Sequence, residues 1–377
     1  MRRIIGFIFY SIFPLLVMAE RLTPYVNPFV GTDGYGNVYP GAQIPFGGIQ
    51  ISPDTDADFY DAASGYKYSH STLMGFSLTH LSGTGIPDLG DFLFVPGAGE
   101  IKSVPGTHDE PEKGYRSHYS HDKEWASPGY YGVELIDYGV KAEMTAASRS
   151  GFFRFTYPKS DQAFILIDMN HTLWQSCPWA NLRQINDSTL VGYKLVKGWG
   201  PERHVYFAAT FSCKLNNFQI LQNGKPVIYD TKRFRSHLEA WGEKLMACVR
   251  FETQANQEIY VKTAISGVST EGALRNLQEL NGFDFDRTRE AADRLWEKEL
   301  SKFQVKGDLK TKQTFYTSAY HAALHPFIFQ DVDGMYRGLD KNIEKAENFT
   351  NYTTFSLWDT YRAFHPLLNL INQPLQA

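Results

Sequence analysis

Residues 130–157 read YYGVELIDYGVKAEMTAASRSGFFRFTY. Within them Val133 and Leu135, then Val140, Ala142 and Met144, then Phe153 and Phe155 recur at every second position. That is the period of strands with one face in a core. Gly, Pro and Ser punctuate the runs, as turns require. Further short apolar runs follow at 163–167, 205–211, 218–221, 246–251 and 259–265, and Asn223-Gly224 is a hairpin signal between two of them. Many short strands with frequent turns predict an antiparallel β-sandwich. An aromatic share of 15%, with 31 Gly and 18 Pro, suits the same β-rich, turn-rich chain. Flat rings with polar tips also suit sugar-binding surfaces.

The period changes near residue 270. Residues 271–280 read as helical, and 286–303 as a charged, amphipathic helix with Ala291, Leu295 and Leu300 as its apolar positions. Residues 311–325 read as another helix. A last one begins at Ser356, where Leu357, Tyr361, Phe364, Leu368 and Ile371 form an apolar stripe that Pro366 should kink. The fold class is therefore mixed, a β-sandwich followed by helices too few to close a core of their own.

Composition excludes several functions. The 37 Lys and Arg nearly balance 41 Asp and Glu, so no basic footprint for nucleic acid is present. Arg2 and Arg3, an apolar run over 4–18 and the small-residue exit at Ala19 read as a secretory signal peptide cleaved near Ala19. The run is shorter than the roughly 20 residues of a membrane span. No second long apolar stretch follows, so the mature chain is expected in the periplasm or outside the cell. Cys177, Cys213 and Cys248 allow at most one bridge and equally suit three small buried hydrophobes. Phosphate-binding, dinucleotide-binding, HExxH and GxSxG motifs are absent from the sequence.

The polar segments left carry the candidate chemistry. Asp54, Asp56, Asp58 and Asp61 offer oxygen ligands for a cation, or form a solvated turn. Residues 80–91, HLSGTGIPDLGD, are dense in function-capable side chains, with His80 either a binding group or a structural residue. Residues 331–337 suit a hairpin with an Asp-Gly turn, which leaves Asp331, Arg337 and Asp340 unexplained. Asp359 and Arg362 share a helix face beside Trp358. Ser356 with Asp359 also fits a capping box, and spacing alone supports capping and sugar binding equally.

Several long segments, in order, resemble glycoside hydrolase family 92, secreted bacterial α-mannosidases. They are YVNPFVGTDGYGNVYPGAQIPFGGIQISPDT (25–55), GFSLTHLSGTGIPDLGDFLFVP (75–96), GYYGVELIDYGVKAEMTAASRSGFFRFTYP (129–158) and VGYKLVKGWGPERHVYFAATFS (191–212). ISGVSTEGALRNL (265–277), FYTSAYHAALHP (315–326), DVDGMYRGLD (331–340) and FSLWDTYRAFHPLL (355–368) continue the match. The resemblance implies a sandwich over 20–268, a helical linker over 269–305 and the first helices of an (α/α)6 barrel over 306–377. It implies calcium-dependent exo-hydrolysis of α-mannosides, N-glycan mannose among them, with inversion. Inverting chemistry needs an acid and a base about 6.5–9.5 Å apart. The family's acid, base and calcium ligands are expected after the WDTYR motif, outside these residues, so no catalytic or metal residue is assigned here. The expectation is an incomplete barrel, inactive alone, with a complementary C-terminal fragment as partner. Among substrate-binding residues, Asp359 matches the family aspartate that binds hydroxyls of the terminal mannose, Trp358 lies beside it, and His80 matches a sandwich segment reaching toward the site. A non-catalytic carbohydrate-binding sandwich is the alternative function.

Overall fold

A computed structural model describes residues 20–57, 61–228, 238–353 and 357–373, apart from the side chain of Asp359. The expected signal peptide, Asp58 and Ser356 lie outside the described residues.

The stretch 130–157 forms three neighbouring strands, Tyr130–Leu135, Val140–Ala146 and Ser150–Tyr157. Val133 faces Ala142, and Met144 faces Phe153 across the ladder. All seven residues that set the two-residue period are buried in the main core. These strands belong to a nine-stranded antiparallel sheet. Its order is Glu239–Gly242, Ser176–Asn186, Thr189–Lys197, Arg203–Phe211, Gln257–Ser266, Ser150–Tyr157, Val140–Ala146, Tyr130–Leu135 and Glu124–Ser127. A seven-stranded sheet runs Ser52–Asp54, Gly75–Ser77, Leu93–Ala98, Ser160–Asp168, Leu245–Thr253, Asn217–Gln222 and Lys225–Pro226. Alternation divides the seven-stranded sheet cleanly. Ala163, Ile165 and Ile167 join the core between the sheets, while Phe164 and Leu166 pack outward with Tyr115 and Met246. Asn223-Gly224 makes the expected turn, with both residues at positive φ.

Helices cover the outer face of the nine-stranded sheet. Thr270–Asn276 lays Ala273 on Val191, Ala208 and Ala264, and Ser269 caps it by accepting from Gly272 N–H at 3.0 Å. Phe285–Leu300 is capped by Asp284 and reaches the sheet through Phe285, against Tyr130 and Phe152. Gly129, at φ +80°, lies so close to this helix that a Cβ there would come within 2.7 Å of the Ala292 methyl. The buried stripe of the helix is Phe285, Ala292, Trp296 and Leu300. Leu300 is buried as expected, but Leu295 is exposed, because the sheet contact at Phe285 sets the stripe and puts Ala292 and Trp296 inside in place of Ala291 and Leu295.

Leu309–Ala322 packs beside Phe285–Leu300, and residues 22–50 fill the space between these helices and the sandwich. Gln43 is the joint. Its buried amide donates to Leu324 O at 2.8 Å, accepts from the Tyr39 hydroxyl, and its backbone carbonyl takes the Trp296 indole N–H at 2.6 Å. The single helix expected from Ser356 is instead two pieces, Leu357–Thr360 and Phe364–Ile371. The break falls at 361–363, ahead of Pro366, which sits in the first turn of the second piece, where its missing N–H is not needed. Phe364 and Leu368 pack on Phe46 and Leu300, whereas Leu357 and Tyr361 of the expected stripe are exposed. No helix among the described residues is long and apolar enough to cross a membrane.

Trp296 fills the joint and spends its only polar hydrogen on Gln43. Trp296→Ala is expected to destabilise the protein by about 3–5 kcal/mol, the range for deleting a fully buried Trp. Urea unfolding followed by circular dichroism checks this, and a loss under about 1 kcal/mol contradicts the role given to the joint.

Candidate glycan-binding face

Tryptophan is usually well buried, yet six of the 7 are exposed and only Trp296 is inside. Four of the six gather at one end of the nine-stranded sheet. Trp241, on the edge strand Glu239–Gly242, and Trp179, on the strand paired with it, stand with ring centroids 6.2 Å apart. Trp174, 55% exposed, lies in the loop leading into Ser176–Asn186. Trp199, 77% exposed, tips the turn that follows Thr189–Lys197, whose Lys197 pairs with Ser176. Rings held out in this way offer flat apolar surface with a polar edge, which fits the face of a sugar.

These loops are fastened to one another. Gly83 N–H donates to Asn37 O at 2.7 Å, and Leu173 N–H to Leu89 O at 3.0 Å. The Gln175 side chain donates to Pro87 O at 2.6 Å, and Lys341 pairs with Glu202 at 2.8 Å. Residues 80–91 therefore lie between the 34–37 turn and the loop carrying Trp174. Leu89, Phe92 and Trp174 all have positive φ, backbone strain of the kind that clusters at functional loops. At Gly90 glycine is required by space, since a Cβ would come within 2.7 Å of Leu173.

Beneath the loops runs a buried chain of charged groups. Asp91, with no exposed surface, takes Arg203 through two bonds of 2.6 and 3.1 Å, Lys194 at 2.9 Å and the Thr79 hydroxyl at 2.7 Å. Lys194, equally buried, also donates to the backbone carbonyl of His171 and lies over the Phe92 ring. His171 Nε2 meets Asp54 Oδ2 at 2.8 Å, and His80 Nε2 meets Asp54 Oδ1 at 2.8 Å. Burial opposes ionisation of Asp91, but Arg203 and Lys194 outweigh it and hold the carboxyl well below the usual carboxylate range. Burial likewise opposes ionisation of Asp54, and the two histidines overcome it.

The structure places the sequence candidates as follows. His80 is wholly buried, its Nδ1 at 2.8 Å from Gln50 O, so its ring anchors the start of the 80–91 loop and presents nothing to solvent. The acidic run is not a solvated turn at Asp54. Asp61 pairs with Lys67 and His70, and Asp56 with His108. Asp331 accepts from Ser266 at 2.7 Å and Asn276 at 2.8 Å, which fastens the 335–345 hairpin to the first helix. Arg337 donates to Gly267 O at 2.9 Å, and Asp340 accepts from Asn342 N–H at 3.0 Å, so both serve local structure. Trp358 is 71% exposed on the helical turn Leu357–Thr360, with the Arg362 guanidinium 4.9 Å from its ring centre. Asp359 shares that turn, and its side chain lies outside the described residues. All three cysteines are free thiols. Asp91, Lys194, Arg203 and His171 were not singled out from the sequence, and the exposed tryptophans only as a high aromatic share. The signal available for Trp199 was its place between two glycines, Gly198 and Gly200.

Residues 25–266 match the glycosyl hydrolase family 92 N-terminal domain, and residues 272–377 match the family's catalytic domain. The chain belongs to glycosyl hydrolase family 92. It is 74% identical to a family GH92 α-mannosidase of Bacteroides thetaiotaomicron, covering 94% of this chain and 48% of that one, with a TM-score of 0.92. That α-mannosidase has also been solved in complex with mannoimidazole. An inverting mannosidase of the family, also from Bacteroides thetaiotaomicron, is 25% identical over 92% of this chain and 46% of its own, with a TM-score of 0.78. A protein of Arthroderma benhamiae called an uncharacterized secreted glycosidase is 25% identical over 365 residues, 90% of this chain and 45% of its own. The family 92 chain described here thus spans about half the length of these relatives.

Asp91→Ala leaves the fully buried Lys194 and the partly buried Arg203 without their carboxylate. The expected cost is about 3–5 kcal/mol, as for breaking a buried ion pair. Because the folded value is depressed, this contribution is complete above about pH 4 and is lost only as pH falls toward the lowered value. Thermal and urea unfolding at neutral pH test it, and a change under about 1 kcal/mol would mean that the buried charges do not hold the loops.

Proposed function

We propose that this chain forms the sandwich and the first barrel helices of an inverting, calcium-dependent exo-α-mannosidase, exported to the periplasm or the exterior. The observation that carries the reading is the 74% identity to a family 92 α-mannosidase along 94% of the chain. The exposed tryptophans at the loop end of the sandwich support it, because a glycan substrate needs such a surface. In this reading Asp359 accepts hydroxyl hydrogens of the terminal mannose, Trp358 packs beside the sugar, and buried His80 contributes by fixing the loop it starts.

An inverting hydrolase protonates the leaving oxygen with one carboxylic acid and activates water with another on the opposite face of the ring. Both are proposed to lie outside these 377 residues. Calcium takes six to eight oxygen ligands. Among the described residues the one group of metal-capable side chains gathered within mutual reach contains two imidazoles, which does not fit calcium, so no calcium ligand is assigned to them. What the chain supplies is surface and rigidity. Among the described residues, Tyr320 OH, His321 Nε2 and His325 Nε2 are buried without hydrogen-bond partners, and burial pushes both imidazoles down to about 4. Such orphaned groups, together with the exposed Leu357 and Tyr361 of the last helical pieces, favour further barrel helices, or a complementary C-terminal fragment, packing on the helical part.

A second reading, a carbohydrate-binding sandwich without turnover, is favoured by the same exposed rings. Mannose release from α-1,2-mannobiose by purified residues 20–377, with and without calcium, separates the readings once the separately expressed C-terminal half of the Bacteroides thetaiotaomicron relative is added. The chain alone is expected to release no mannose, and the mixture is expected to release it in a calcium-stimulated manner. Turnover by the chain alone contradicts the placing of the carboxylates. A mixture that stays inactive while the chain binds the mannobiose supports the second reading.

A further inference from the structure

Just beyond Ser52–Asp54, the edge strand of the seven-stranded sheet, three side chains from separate segments converge. One ligand atom from each of Asp56, His70 and His108 lies within 4.8 Å of the other two. Asp56 follows the strand Ser52–Asp54, His70 precedes the two-residue strand Thr72–Leu73, and His108 belongs to the loop ahead of Tyr115. His108 Nε2 stands 2.9 Å from Asp56 Oδ2, and the two imidazole centroids are 4.2 Å apart. All three residues are half-buried.

We infer that Asp56, His70 and His108 form a binding site for a divalent first-row transition metal of the zinc class. Two imidazole nitrogens and a carboxylate oxygen are a donor set for zinc, copper or nickel and not for calcium, which takes oxygen alone. Zinc bonds of about 2.05 Å at tetrahedral angles set neighbouring donors about 3.4 Å apart, so small side-chain rotations close the present spacing onto an ion. The fourth position is left to water. The outer partners match as well, since a metal-bound histidine holds a hydrogen-bond partner on its other nitrogen. His108 has the Thr72 hydroxyl at 3.0 Å from Nδ1. His70 has Thr55 Oγ1 at 3.0 Å from Nδ1 and Asp61 Oδ2 at 3.0 Å from Nε2. Whichever nitrogen of His70 turns to the ion, the other keeps its partner. A hydroxyl either donates or accepts, so the threonine contacts survive the change of imidazole tautomer that binding requires.

Lys67 is paired with Asp61 and so offsets that second carboxylate, which makes Asp56 the anionic ligand. The bound ion would pin the segment after Ser52–Asp54, the turn at His70 and the 105–110 loop to one another. This inference rests on geometry within the sandwich and stands whether or not the proposed mannosidase reading holds.

Isothermal titration of the metal-free full chain with zinc chloride tests the site, with metal counted after dialysis and cobalt used as a spectroscopic stand-in. The expected result is one tightly bound zinc per chain and visible cobalt bands of a tetrahedral nitrogen–oxygen site. His108→Ala is expected to weaken zinc binding by at least about 100-fold, beyond the loss of a mere supporting partner. Should that variant not fold by circular dichroism, Asp56→Asn, which keeps the shape of the side chain, carries the same expectation. No saturable zinc binding by the wild type, or binding unchanged in a folded variant, overturns the inference.

Discussion

The carboxylate of Asp91 is the point on which the candidate site depends. A bare carboxylate inside a protein is unstable, and Asp91 is tolerated because Arg203, Lys194 and Thr79 surround it. Those partners come from different places. Thr79 precedes the 80–91 loop, Lys194 lies in the middle of a strand, and Arg203 begins the strand after the Trp199 turn. Satisfying one buried charge therefore fixes the relative position of two loops. Lys194 extends the constraint to a third by bonding the His171 carbonyl, and His171 passes it through Asp54 to His80. Trp174 lies three residues beyond His171 and Trp199 four residues before Arg203, so the exposed rings are held from below by groups that are themselves mostly buried.

A second constraint joins the sandwich to the helices. Residues 22–50 run between them: Gln43 bonds Leu324 and Trp296 on the helical side, while its neighbour Ala42 pairs with Ile51 beside the strand Ser52–Asp54. Phe46 adds a backbone pair, donating to Ala323 O at 3.1 Å and accepting from Ile328 N–H at 2.9 Å. The N-terminal segment thus packs with residues almost three hundred positions later, and the helices need it to cover Trp296, Tyr316 and Tyr320.

Much of the architecture was legible because period-two burial leaves a direct mark. Every apolar run from 163–167 to 259–265 lies in a strand, and the strand-to-helix change near 270 is real. Ser176–Asn186 and Thr189–Lys197 were not read, since half-exposed polar residues interrupt the first and the buried Gly192 and Lys194 interrupt the second. Helix faces were less legible, as Leu295 and Trp296 show, because the phase of a stripe is set by what the helix meets. The site was legible only through resemblance. Asp54 and His80 looked like loop polar residues, and nothing local reveals that each is satisfied by a partner 26 positions away. Buried charge networks are properties of the folded chain, so spacing in the sequence leaves them unwritten.

If the Asp91 network fixes the loops, their backbone amides behave like core and not like surface. Native-state hydrogen exchange at neutral pH reads this directly at Leu78, Gly90 and Leu173, whose N–H groups donate to Asp91, Thr79 and Leu89 carbonyls at 2.8, 2.8 and 3.0 Å. The account predicts that these amides exchange only through openings as rare as those that release the strand Ser160–Asp168. Exchange at the rate of an unstructured loop, while that strand remains protected, would contradict it.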